Sequence, residues 1–223
     1  MIKNIKAILW DLDGTLIDSE ELHAQSSAYA SGLLAKENGL RLMPISTNVT
    51  GLENQAVFEM LFQVKISGEN YTLFERWERL AVDYVIERIS SDQQIKQSIH
   101  LVNHFGELGI PQLVVSNSTK RLVLHSLTLM GIIDKCEYVL CRDMVGNGKP
   151  HPELYLTALD KIKIAAERCL AFEDSYSGIT AARRAGLNVV GIGESSSKHS
   201  PDLVMDLTQD KWLQKLDNYY NFG

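Results

Sequence analysis

The chain has 223 residues, 45 % of them hydrophobic and 22 % charged, the balance of a soluble globular protein able to bury a full core. Lysine and arginine number 22 against 28 acids, a net charge of −6, which argues against bulk electrostatic binding of nucleic acid or an anionic membrane. A small anionic substrate is not excluded, because a site needs only a local positive field.

The N-terminus has too short an apolar run for a signal peptide, and no stretch approaches the ~20 apolar residues of a membrane helix. IKAILW (5–10) is a short apolar run rich in β-formers, the pattern of a buried parallel strand. It runs straight into the acids of DLDGT (11–15). SEELHAQSSAYASGLLAKE (19–37) predicts a helix capped by Ser19, with Glu20 and Glu21 in the first turn, where acids favour the helix dipole. Asp18 is expected to cap that helix or shape the hinge before it. Gly39 and Pro44 mark loops. Residues 52–65 and 70–89 repeat apolar positions three and four apart and predict two more helices. Trp77 and Tyr84, seven apart on the second of these, are expected in a core. Residues 19–90 contain no convincing strand and predict a helical insert.

From about residue 93 the rhythm alternates. A helix ends at Gly109, PQLVVS (111–116) is a strand, and a second helix ends at Gly131. EYVLC (137–141) is a strand, HPELYLTALDKIKI (151–164) a helix and RCLAFED (168–174) a strand. GITAARRAG, LNVVGI (187–192), a short LVM strand and a closing helix DKWLQKLDN follow. This alternation predicts an α/β fold, a doubly wound parallel sheet with the helical insert after its first strand. Residues 1–18 and 91–223 would form the α/β domain and 19–90 the helical one. Cys136, Cys141 and Cys169 form no CxxC pair; reduced thiols in a cytoplasmic protein are expected.

In open parallel sheets, sites form at the carboxyl ends of strands. Those ends carry Asp11 and Asp13, then Ser116 and Asn117, then Lys149, then Glu173 and Asp174. Four acids cannot sit together ionised without a cation, and hard oxygen ligands point to Mg²⁺, or to Mn²⁺. A divalent ion and a lysine around a carboxylate describe a phosphoryl-transfer site.

DLDGT (11–15), VVSNS (114–118), GKPHPELY (148–155) and FEDSYSGI (172–179) resemble, in order, spacing and strand context, the four motifs of the haloacid dehalogenase-like hydrolase superfamily. The nearest branch looks like the sugar-phosphate phosphatases and β-phosphoglucomutase. The insert resembles that superfamily's small helical cap. The resemblance implies that Asp11 is the nucleophile and Asp13 the general acid and base. It implies that Thr15, Ser116, the Asn117 amide and Lys149 serve the phosphate. Asp11, Asp13 through its carbonyl, Glu173 and Asp174 would hold the metal, Glu173 either directly or behind the ligands. In the cap, His23 and the loop TGLEN (50–54), with Gly51 and Asn54, are candidates for substrate contact.

The activity so implied is a Mg²⁺-dependent phosphatase of a small phosphorylated metabolite, a sugar or sugar-acid phosphate, working as a monomer with no nucleic-acid or membrane partner. A phosphosugar mutase is the runner-up. That family carries an arginine three residues after the loop glycine; here that residue is Asn54, and Arg76, Arg79 or Lys65 would have to substitute. A dehalogenase needs no leaving-group acid, whereas Asp13 is present. A non-catalytic phosphoacceptor such as a receiver domain lacks the insert and is about half as long.

Overall fold

A computed structural model describes residues 3–43, 54–206 and 211–222. The chain divides into two compact units, Met1–Asp18 with Ser90–Gly223, and Ser19–Ile89. In chain order, β1 (Lys3–Asn4) and β2 (Ala7–Trp10) precede the helices α1 (Glu20–Asn38), α2 (Asn54–Phe62) and α3 (Tyr71–Arg88). Then come α4 (Lys96–Glu107), β3 (Gln112–Val115), α5 (Lys120–Leu129), β4 (Tyr138–Leu140), α6 (Glu153–Ile162) and β5 (Cys169–Glu173). The chain closes with α7 (Tyr176–Arg184), β6 (Asn188–Ile192), β7 (Leu203–Met205), α8 (Trp212–Asp217) and β8 (Tyr220–Asn221).

Six parallel strands pair in the order β4-β3-β2-β5-β6-β7, the doubly wound sheet expected from the alternation. Period-two side chains divide its two faces. Ala7, Leu9, Leu113, Val115, Cys169 and Ala171 pack with Leu154, Tyr155 and Ala158 of α6 and Ile179, Ala181 and Ala182 of α7. Trp10 points the other way. Its ring stacks on Phe172 at 4.2 Å and lies 6.2 Å from Phe105 of α4. Its indole Nε1 donates to Gln112 Oε1 at 2.9 Å, and Gln112 Nε2 donates to the Val102 carbonyl. A tryptophan here fills the space behind Asp11 and still satisfies its own N–H, as a buried polar atom must.

Three details differ from the sequence-based expectation. Ser19 stands at the N-cap of α1, but its backbone is near the helical region (φ −117°, ψ −1°) and its side chain makes no capping hydrogen bond; a capping residue needs extended geometry. Helix α4 starts at Lys96 because a capping box between Ser90 and Gln93 closes a separate 3₁₀ turn first. A two-stranded parallel sheet of β1 and β8 ties the chain's two ends, with Ile5 N donating to the Asn221 carbonyl at 2.8 Å. Asp18 is exposed, and its backbone is tied to Gln93 in both directions: Asp18 N donates to the Gln93 carbonyl and Gln93 Nε2 to the Asp18 carbonyl.

The helical unit has its own core of Ala30, Leu34, Val57, Phe58, Leu61, Phe62, Trp77 and Ala81. Trp77 is buried and its Nε1 donates to Ser31 Oγ at 2.8 Å. Tyr84 is only half-buried. The buried stripe of α3 runs through Trp77, Ala81, Val82 and Val85. Tyr84 lies beside it, under the Arg88 guanidinium at 3.9 Å, and donates to Gln25 Oε1. Cys141 and Cys169 are buried and Cys136 half-buried, all as free thiols. Among the described residues no helix is long and apolar enough to cross a membrane.

Candidate active site

The strand order reverses at β2, which has β3 on one side and β5 on the other. Such a switch point opens a crevice beyond the strand ends. The register pairs Trp10 with Val114 and with Phe172. The next residues along, Asp11, Val115 and Glu173, therefore stand side by side on three neighbouring strands.

Lys149 joins all three. Its Nζ donates to Asp11 Oδ1 at 2.7 Å, to the Val115 carbonyl at 2.7 Å and to Glu173 Oε1 at 2.6 Å. An ammonium has three donors, so each is used. The lysine side chain is 2 % exposed. Its loop is held at the backbone as well: Lys149 N donates to Asn117 Oδ1 at 2.8 Å, and Asn117 Nδ2 donates to the Lys149 carbonyl at 3.0 Å. The Asn117 side chain thus spans from the end of β3 to the lysine loop.

Glu173 is fully buried. Its Oε1 also accepts from the Tyr155 hydroxyl. Its Oε2 makes no hydrogen bond among the described residues and lies where a Cβ on Gly178 would be, 1.6 Å away. Only glycine fits there. Burial raises the Glu173 carboxyl above its ordinary value, Asp11 adds to this, and Lys149 opposes it. Burial likewise raises Asp11, against the pull of Lys149 and with the repulsion of Asp13. Burial disfavours the charged form of Lys149, but Asp11 and Glu173 outweigh it and hold the ammonium above its usual range.

Asp13 is half-buried, and its Oδ2 accepts from Ser118 Oγ at 2.7 Å. Gly14 turns the chain at φ +78°, and a Cβ there would stand 2.2 Å from Asp174 Oδ2. Position 14 therefore requires glycine twice, for its dihedral and for the approach of Asp174. Thr15 is buried, and its Oγ1 makes no hydrogen bond among the described residues. Ser116 is buried; its Oγ accepts from Ser118 N at 2.9 Å, which leaves its own hydroxyl hydrogen to donate.

Carboxylate oxygens of Asp11, Glu173 and Asp174 lie within 4.8 Å of one another. Asp13 adds a fourth acid beside one lysine. Hard oxygen donors in excess of positive charge are the donor set that Mg²⁺ or Mn²⁺ takes, and these residues fit such an ion.

The helical unit holds the remaining candidates. His23 is half-buried on α1. Asn54 opens α2 and its Nδ2 donates to Glu78 Oε1 at 3.0 Å. Gly51 and the rest of 50–53 lie outside the described residues. Lys65 pairs with Glu59 and Arg76 with Glu37, each at 2.6 Å, and Arg79 is exposed. Reading motifs alone missed Ser118, Tyr155, Gly178 and the Asn117 side chain. Tyr155 stands inside the GKPHPELY motif, but its bond to Glu173 is set by the fold and carries no local signal.

A family model described as haloacid dehalogenase-like hydrolase matches residues 5–186. A validoxylamine A 7'-phosphate phosphatase of Streptomyces hygroscopicus subsp. limoneus is 26 % identical over 93 % of this chain and 96 % of its own. A β-phosphoglucomutase of Bacillus subtilis is 27 % identical over 95 % of this chain and 94 % of its own. The crystal structure of β-phosphoglucomutase from Clostridium difficile superposes with a TM-score of 0.76 at 22 % identity, covering 96 % of this chain and 97 % of that one, which shows the fold. From the match along most of its length, the chain belongs to the haloacid dehalogenase-like hydrolases.

Proposed function

We propose that the chain is a Mg²⁺-dependent phosphatase that hydrolyses small phosphate esters, sugar or sugar-acid phosphates, through an aspartyl-phosphate on Asp11. The observation that carries this reading is the three-way bond of Lys149 at the switch point, which fixes one oxygen of Asp11 and balances its charge.

In the first half-reaction the Asp11 carboxylate attacks phosphorus in line, and the bond from phosphorus to the ester oxygen breaks. Asp13, as the acid, gives a proton to the departing alkoxide. In the second half, water attacks the aspartyl-phosphate, Asp13 takes its proton, and Asp11 and inorganic phosphate are released. Ser116 Oγ–H and the Asn117 backbone N–H hold phosphoryl oxygens at the start of the turn leading into α5, and Thr15 Oγ–H is a further donor there. Lys149 keeps Asp11 ionised and aimed. Asp11, Asp174 and the Asp13 carbonyl would hold Mg²⁺, which when bound neutralises charge on the transferring phosphoryl group. Glu173, already bonded to Lys149 and Tyr155, supports the site from behind.

The likeness to a β-phosphoglucomutase favours one second reading, a phosphosugar mutase. Two features favour hydrolysis. Asn54, where the mutase branch has an arginine, is an amide tied to Glu78, and Arg76 and Lys65 are already ion-paired. Purified protein with Mg²⁺ against a panel that includes β-glucose 1-phosphate and hexonate phosphates decides between them. Release of inorganic phosphate supports the phosphatase; isomerisation with little release supports the mutase.

A further inference from the structure

We infer that Ser118 is a positioning residue for the acid–base step, and that it holds the carboxyl of Asp13 in the orientation which that step needs. The inference rests on Asp13 being the acid and base proposed above.

Ser118 lies two residues beyond Ser116, on the turn between β3 and α5. Its Oγ–H donates to Asp13 Oδ2 at 2.7 Å, across 105 positions of sequence. Its own backbone is fixed from two sides. Ser118 N donates to Ser116 Oγ at 2.9 Å, and the Ser118 carbonyl accepts from Arg142 N at 3.2 Å. The hydroxyl is thus presented from a braced turn.

A hydrogen bond at one carboxyl oxygen limits rotation of the group. In the forward step Asp13 transfers its proton to the ester oxygen as the phosphorus–oxygen bond breaks, and becomes a carboxylate. When water later attacks the aspartyl-phosphate, the same carboxylate takes the water proton. Without the Ser118 hydroxyl the carboxyl's orientation scatters, and fewer encounters have a proton facing the leaving group.

The consequence depends on the leaving group. A poor leaving group needs the proton; a good one departs without it. Phenyl phosphate and p-nitrophenyl phosphate differ little in size and differ in just this respect. The parameter kcat/KM reads only the steps up to departure of the alcohol, so hydrolysis of the shared aspartyl-phosphate does not mask the effect. General acid–base catalysis contributes roughly 10²–10⁴-fold, and a positioning residue controls part of it. For Ser118→Ala we expect kcat/KM to fall about tenfold on phenyl phosphate and less than about threefold on p-nitrophenyl phosphate. Ser118→Thr, which keeps a hydroxyl, should recover most of the loss. Asp13→Asn should show the same split with a larger span.

Each result bears on a different step. Equal losses on both esters in Ser118→Ala, while Asp13→Asn shows the split, would overturn the role of Ser118 and leave that of Asp13 standing. Equal losses in Asp13→Asn would overturn Asp13 as the acid, and this inference with it. A wild-type protein that releases no phosphate from these two esters or from any ester of the panel above would overturn the phosphatase reading from which both descend.

Discussion

The two units of the molecule treat their polar side chains in opposite ways. In the α/β unit the polar groups at the strand ends are bound to residues far away in sequence: Lys149 to the buried Asp11 and Glu173, Ser118 to the half-buried Asp13, Asn117 to the lysine loop. In the helical unit the ion pairs reach the surface: Arg76 with Glu37 between two helices, both part-exposed, and the exposed Lys65, in the loop after α2, with a half-buried Glu59. Buried charges cost several kcal/mol each unless paired, whereas exposed pairs are worth about 0–1 kcal/mol. A fold that keeps a cluster of acids at buried strand ends is stabilising an arrangement for a purpose other than stability.

The sharpest way to break this contrast is to remove the shared cation. Lys149→Met leaves Asp11 and Glu173 buried without a partner, a loss of about 3–5 kcal/mol. Loss of a preorganised charge should also slow phosphate release by roughly 10²–10³. The pH dependence has a definite sign. Glu173 is already raised above its ordinary carboxyl value of 4.5 by burial. The stability that its raised value contributes is complete below 4.5 and is lost as pH rises through the raised value. Without Lys149 that loss steepens. Thermal unfolding of Lys149→Met should therefore show a larger deficit against wild type at pH 8 than at pH 5. An equal deficit at both would mean that Lys149 does not change the protonation of the buried carboxyls between these pH values.

Gly14→Ala acts more locally. It adds a Cβ 2.2 Å from Asp174 Oδ2 at a backbone angle that favours glycine. Asp174 must move, and metal-dependent turnover should need roughly 10–100 times more Mg²⁺. Titrating activity with Mg²⁺ reads this, and an unchanged curve would remove Asp174 from the ion. The helical unit should respond least. Arg76→Ala breaks a pair whose side chains are 47 % and 37 % exposed, so denaturant unfolding should shift by less than about 1 kcal/mol. Hydrolysis of p-nitrophenyl phosphate should be unchanged, and a tenfold loss would show that Arg76 serves the chemistry as well as its ion pair.

The alternation of strands and helices was legible because each element writes its own period into a few neighbouring residues. The acids and the lysine were legible as motifs because the turns at strand ends place them at fixed local spacing. What stayed hidden depends on partners that no local pattern encodes. Trp10 makes sense only beside Phe172 and Gln112. Asn117 read as a phosphate residue through its amide, while its side chain clamps a loop 32 positions on. Tyr155 stands inside the GKPHPELY motif, and only the fold makes its hydroxyl the second donor to Glu173. The failure of Ser19 to cap α1 has the same origin, since a serine before a helix states a capacity and the backbone angle decides its use.

The central claim is covalent chemistry at Asp11, and the direct measurement is mass spectrometry of protein quenched in acid during turnover of p-nitrophenyl phosphate with Mg²⁺. The account predicts one phosphoryl group on the peptide that carries Asp11, absent when substrate is omitted, and no phosphate release by Asp11→Asn. Full activity of Asp11→Asn with Mg²⁺, after the same spectra exclude deamidation back to aspartate, would contradict it.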